Sequence, residues 1–235
     1  MAQKIINFYA NQLSVNVTLV LVFEPPLPSA RSLVWKEIKF FPMFRSHAKA
    51  TVTCDRSPRL AIGIEQTVED TNVFPATWLE IKGDYTTVTG SEKQNYLGIG
   101  YFTPYDYGNY DYDYDIDPPD WDEDPGPSMC KCVNQCNSSI DFQLGLAHGE
   151  GMNQRFEPII LWKDIVPSCT VTFSPKLILL GYAIKNYKGN GPLFDKIESE
   201  PTWSQDISLL DDETSWNLVQ DKTTGTMTVE RADVI

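Results

Sequence analysis

Short apolar runs rich in β-branched and aromatic residues recur every 10–15 residues along the chain, separated by Pro, Gly, Asn and Asp. That spacing predicts strands rather than helices. Residues 15–23 alternate for part of their length, with Val15, Val17, Leu19, Leu21 and Phe23 on one face. Residues 50–54, 60–64, 85–89 and 96–102 follow as strand candidates. Seven more lie at 140–146, 156–161, 169–173, 177–184, 207–210, 216–219 and 226–230. A dozen strands without alternating helices predict an all-β fold, a single-domain antiparallel β-sandwich of jelly-roll-like type spanning 1–235. Residues 32–41 are the exception: good helix formers follow Ser32 as a candidate N-cap, and Pro42 would stop them. A short helix is expected there, with a strand as the other reading. Residues 105–136, rich in Tyr, Asp, Pro and Cys, read as a long insertion within the sandwich.

Composition changes this picture in one respect. Nineteen Lys and Arg against 32 Asp and Glu give a formal charge of −13, which disfavours a nucleic-acid partner. Nine of the carboxylates fall between Asp106 and Asp124, and no Lys or Arg lies between Lys93 and Lys131. The acidity is therefore local. No run of 18 apolar residues exists, so no transmembrane helix is expected. The early apolar stretch is interrupted by Asn7, Asn11 and Gln12, unlike the unbroken core of a signal peptide. A cytoplasmic location and export without a visible leader both stay open.

Two stretches carry a resemblance. The first runs from Ile6-Asn7-Phe8-Tyr9-Ala10-Asn11 through residues 20–26 to Ser32-Leu33-Val34-Trp35-Lys36. The second covers Leu144-Gly145-Leu146-Ala147-His148-Gly149, residues 170–175 and residues 181–187, with Ser215-Trp216 near the end. Together they resemble a group of small bacterial and fungal β-proteins related to a rhizosphere-expressed protein. The resemblance covers about a third of the chain. It implies a single β-sandwich and no catalytic residue. The tryptophan-rich middle strand of that group has no counterpart between Cys54 and Gln66.

Enzyme signatures are missing: there is no Gly-x-Ser-x-Gly elbow, phosphate loop, dinucleotide fingerprint or His-Glu-x-x-His. Any imidazole catalysis would use His47 or His148. His148, with Glu150 two residues on, is the better candidate, and Cys54 or Cys169 could supply a nucleophile. The bland alternative is a histidine in a surface turn.

Five cysteines, an odd count, include Cys130, Cys132 and Cys136 within seven residues. An odd count in a chain long enough for a core suggests reduced thiols. Three soft ligands with Cys54 or Cys169 would complete a zinc site, and a local disulfide fits as well. Polar turn formers on both flanks predict that at least one of the three is solvent-accessible. Asn16 and Asn137 match the glycosylation tripeptide, which has meaning only in a secreted protein.

The acidic run places Asp111, Asp113, Asp115 and Asp117 at alternate positions, like the first half of a calcium loop. Ile116, however, occupies the position where such a loop turns on glycine, and Pro118-Pro119 stiffen the second half. If the run is extended, the four Asp lie about 7 Å apart on one face, with Tyr110, Tyr112 and Tyr114 opposite. Trp121 adds to that aromatic surface. The readings are a divalent-cation site, a surface for a carbohydrate or protein partner, or a solvated loop. The function expected is a non-catalytic β-sandwich that binds a partner or self-associates as a homo-oligomer through this loop. It requires no cofactor, with Ca2+ as the candidate ion. The alternative is a small enzyme using His148 and nearby carboxylates in a sandwich cleft. Since Ile116 and the prolines oppose a tight cage, thermal unfolding is expected to show a small stabilisation at millimolar calcium that magnesium largely reproduces. A calcium-only shift abolished by Asp113→Asn/Asp115→Asn would establish the cage instead.

Overall fold

The computed structural model describes residues 3–10, 13–42, 48–65, 75–81, 85–91, 96–101, 130–189 and 200–232, with backbone alone at 65, 75–76, 85–91 and 96–101. The candidate residues His47, Tyr110, Tyr112, Tyr114, Trp121, Asp111, Asp113, Asp115 and Asp117 lie outside the described residues. In chain order the strands are β1 (Gln3–Ala10), β2 (Val17–Phe23), β3 (Ala30–Ser32), β4 (Val34–Phe40), β5 (Ala48–Asp55), β6 (Arg59–Glu65), β7 (Pro75–Glu80), β8 (Tyr85–Ser91) and β9 (Tyr96–Tyr101). After these come β10 (Cys130–Asn134), β11 (Ile140–His148), β12 (Arg155–Ile165), β13 (Thr170–Phe173), β14 (Ile178–Lys185), β15 (Trp203–Asp206), β16 (Glu213–Gln220) and β17 (Met227–Arg231). Among the described residues there is no α-helix, and none could cross a membrane as one.

The strands form four sheets, ordered β17-β16-β1-β5, β15-β14-β2-β4, β3-β12-β11-β6-β7 and β13-β10-β8-β9. Pairing is antiparallel except between β1 and β16 and between β8 and β10. The all-β, sandwich-like class expected from the strand spacing is the class observed. One buried apolar cluster draws on all four sheets. Phe8 of β1 meets Trp203 of β15 edge-on at 5.3 Å, and Trp203 meets Trp216 of β16 at 5.4 Å. Trp162 of β12 lies 5.7 Å from Phe173 of β13. Large rings give these inter-sheet contacts much of their buried area.

Three local expectations are corrected. The helix expected over 32–41 is instead β3 and β4: Val34–Phe40 pairs along β2, and ladder pairing with burial of Trp35 and Phe40 overrides helix propensity. Residues 207–210 are not a strand; Ile207–Leu209 form a 3-10 turn. Asp206 caps it, accepting from Ser208 N at 2.9 Å, a local bond that competes with strand pairing. Cys130, Cys132 and Cys136 are all buried, contrary to the expected accessibility. Cys130 and Cys132 alternate with half-buried neighbours along β10, so strand periodicity turns both inward. Among the described residues no three His, Cys, Asp or Glu side chains are grouped to hold a metal ion.

The first strand is hidden in the sequence by its own polar residues. Within β1, Lys4 and Asn7 are buried yet fully engaged. Lys4 Nζ donates to the carbonyls of Ile207 at 2.9 Å, Ser208 at 3.1 Å and Leu210. Asn7 Nδ2 donates to Glu213 Oε1 at 2.8 Å, and Asn7 Oδ1 accepts from Thr51 Oγ1 at 2.8 Å. These bonds tie β1 to both neighbours in its sheet, β16 and β5. Replacing Lys4 by Met would take the ammonium donor from three carbonyls, of which Ile207 O would keep only the Leu210 N–H, at 3.3 Å. Urea unfolding of Lys4→Met is expected to show a loss of roughly 3 kcal/mol with an unchanged m-value.

Candidate functional site

Two β-bulges build the one place where the described chain gathers several ionisable groups around an imidazole. Between β2 and β4, Leu21 pairs with Lys36 but Val22 pairs with Val34, so Trp35 is an extra residue. The bulge turns Trp35 and Lys36, neighbours in sequence, to the same side. Trp35 packs on Phe23 at 5.2 Å, and Lys36 Nζ lies 5.0 Å over the Trp35 ring. Between β11 and β12, Leu144 pairs with Ile160 but Gly145 pairs with Pro158, making Ile159 the extra residue. Pro158 lacks an N–H, and a bulge is where a strand tolerates it.

The second bulge decides which side chains meet. Beyond it Leu146 faces Glu157 and His148 faces Arg155. With no extra residue His148 would face Phe156, and Glu157 would point through the other side of the sheet. Phe156 in fact covers that other side. A Cβ on Gly63 or Gly145 would meet its ring at 2.8 or 2.5 Å, and Trp78 stacks on it at 5.9 Å. These two glycines are required by that close approach.

The outcome is a cleft of about 380 Å³ floored by Leu146, His148, Arg155 and Glu157. Its walls are residues 35–38 of β4 and residues 51–55 of β5, with Gln3 at the β5 side. His148 Nε2 lies 2.9 Å from Glu157 Oε2, and Nδ1 lies 3.5 Å from Asp55 Oδ2. Lys36 Nζ donates to Glu157 Oε1 at 2.7 Å. A neutral imidazole carries one N–H and one lone pair, so only the imidazolium donates towards both carboxylates. Four side chains from three sheets thus form one connected network: Lys36, Glu157, His148 and Asp55.

Burial pushes the Glu157 carboxyl up, but the hydrogen bond and charge of Lys36, with help from Trp35 and His148, outweigh it and leave it below the ordinary glutamate value. Cys54 behaves oppositely: burial raises its thiol above the ordinary value, and the charge of Lys4 only partly opposes this. It is a poor thiolate nucleophile at neutral pH. Trp35 Nε1 is buried without a hydrogen-bond partner, at a geometry short of a full bond to Glu157.

Of the residues singled out in the sequence, His148 lies in the cleft as the last residue of β11, its side chain 20% exposed. Glu150 is exposed at the cap of the Gly151–Asn153 turn and does not line the cleft. Asp55 and Glu157, unremarked in the sequence, take the part expected of Glu150. Cys54 lines the cleft, whereas Cys169 is exposed elsewhere. A second cavity of about 390 Å³ is walled mainly by carbon, and among the described residues Glu24 and Lys176 are the ionisable ones that line it.

Because the Glu157 pKa is depressed, its ionic contribution is present above the ordinary value of about 4.5 and is lost as pH falls through the lower folded value. Thermal unfolding of Glu157→Gln is expected to fall below wild type at pH 7, with the gap closing from pH 4.5 downward. A gap constant to pH 3 would show that Glu157 is not held ionised.

No protein-family model matches the chain, and neither a curated protein nor a solved structure is significantly similar to it. The resemblance to the rhizosphere-expressed group therefore rests on its motif residues alone.

Proposed function

We propose that this chain is a non-catalytic binding protein whose recognition site is the polar cleft between β4 and β5. The observation that carries this reading is the closure of the charge network upon itself. Both ring nitrogens of His148 face carboxylates, and Lys36 is committed to Glu157. A general base needs a lone pair within about 2.6–3.2 Å of the proton it removes, and both ring nitrogens here are turned towards carboxylates of the chain itself. What the cleft offers a ligand is polarity carried on strands: the Arg155 side chain, Thr51 and Thr53. Rigid polar groups on strands are suited to orienting a bound molecule.

A second reading, acid–base catalysis by His148, draws on the same convergence of an imidazole and two carboxylates in a cleft. The two separate by experiment. The Trp35 indole N–H gives its own signal in a 1H–15N spectrum, which can be followed as glucose, N-acetylglucosamine and N-acetyl amino-acid amides are added in turn. At least one probe is expected to move that signal in wild type and in His148→Gln. Thr53→Trp, filling the cleft from an exposed position, should abolish the movement. If no probe moves it, the binding reading fails. Turnover of chromogenic esters or glycosides that His148→Gln abolishes would put the catalytic reading in its place.

A further inference from the structure

A cavity lying against the face of a sheet touches every second residue of a strand, because successive side chains point to opposite sides. The cleft does otherwise: besides Trp35 and Lys36, which the bulge turns to one side, it takes Glu37 and Ile38 of β4 and five consecutive residues of β5. It runs along strand edges. Among the described residues β4 and β5 each end their sheet, and no backbone hydrogen bond joins one to the other. Lys36 near the start of β4 and Asp55 at the end of β5 both reach the His148–Glu157 pair, so the start of one edge lies beside the end of the other, as in antiparallel strands. An edge strand presents a row of backbone N–H and C=O groups that another strand can pair with.

We propose that the cleft recognises an extended peptide segment of a partner protein, which adds as a strand between β4 and β5. The proposal rests on the binding reading above and gives that site its class of ligand. Inserted there, the segment runs antiparallel to one edge and parallel to the other, joining the β2 and β1 sheets. A mixed sheet is already present on the β1 side, where β1 pairs parallel with β16. The five β5 residues offer roughly 13 Å of edge at about 3.3 Å per residue, enough for four or five residues of peptide. Main-chain pairing supplies affinity, and side-chain contacts select the sequence.

The floor states one preference. Lys36 is neutralised by Glu157 and His148 lies between two carboxylates, whereas Arg155 lines the cleft and makes no ion pair among the described residues. Its guanidinium accommodates a carboxylate in two parallel hydrogen bonds. The preferred segment therefore carries one Asp or Glu among uncharged residues of high strand propensity. A strongly acidic segment would be opposed by the −13 charge of the whole chain.

Three pools of acetylated hexapeptide amides test this on the full chain. The first has one fixed Glu among Val, Thr, Ile, Ser and Tyr; the second has Gln at that position; the third repeats the first with alternate backbone nitrogens methylated, in both phases. The first pool should move the Trp35 indole signal and slow hydrogen exchange in residues 35–38 and 51–55. The second should bind about tenfold more weakly, a difference that Arg155→Gln removes. The methylated pool should lose binding, since strand pairing needs the N–H groups. Equal binding by the methylated pool would overturn strand addition. If no pool binds while sugars or single amino-acid amides still move the Trp35 signal, the peptide inference is wrong and the binding reading stands. Silence from every probe would sink both.

Discussion

A single register shift, at Pro158–Ile159, sets the chemistry of this molecule. It exchanges the faces of every β12 residue on its N-terminal side, sending Phe156 to one side of the sheet and Arg155 and Glu157 to the other. Both results are used. Phe156 seals the far side over Gly63 and Gly145, where no larger residue fits, and Glu157 arrives opposite the start of β4. The bulge at Trp35 answers it from the other wall, delivering Lys36 to the same carboxylate. With one residue fewer in β12, His148 would meet a phenyl ring and the cleft would have no anion at its floor.

The remainder of the fold meets a different difficulty, that of holding polar side chains inside an apolar core. Lys4 and Asn7 sit in the strand between β16 and β5, where an unpaired ammonium or amide would be strongly destabilising. Each is met by groups from distant chain. The carbonyls of the Ile207–Leu209 turn converge on Lys4 because that turn is 3-10 rather than extended, which links the turn chemistry of Asp206 to the burial of a lysine about two hundred residues away. Asn134 plays a similar part near the buried cysteines, donating to the carbonyls of Ser138 and Ile165 and accepting from Cys136 N.

The architecture is legible where strands obey simple periodicity. Residues 15–23 alternate over part of their length, and their odd positions line the main core. A strand goes unread where a polar residue breaks the pattern for a reason visible only in three dimensions, as at Lys4 and Asn7 in β1. Local propensity misleads at 32–41, since Lys36, Glu37 and Lys39 favour a helix in isolation, but once β4 pairs with β2 strand alternation puts Lys36 on one face and Glu37 and Lys39 on the other. For the site, His148 is legible as one of two imidazoles, while its partners are not. Glu150 is nearer in sequence, yet Glu157 and Asp55 are nearer in space, and no count of residues reveals a bulge. Pro158 is the available signal: a proline within an apolar run marks a place where ladder pairing is interrupted.

The parallel pairing of β1 with β16 bears on how the chain comes together as it is made. Ile5 lies opposite Glu213 and Ala10 opposite Leu218, so β1 emerges from the ribosome some two hundred residues before one of its two partners. At about 5–20 residues per second, that interval is roughly ten to forty seconds. During it the early strand can pair with β5 alone, its other edge open and Lys4 without the turn that accepts its protons. This sheet therefore closes late, and the nascent chain carries an exposed strand edge for longer than the rest of the structure requires.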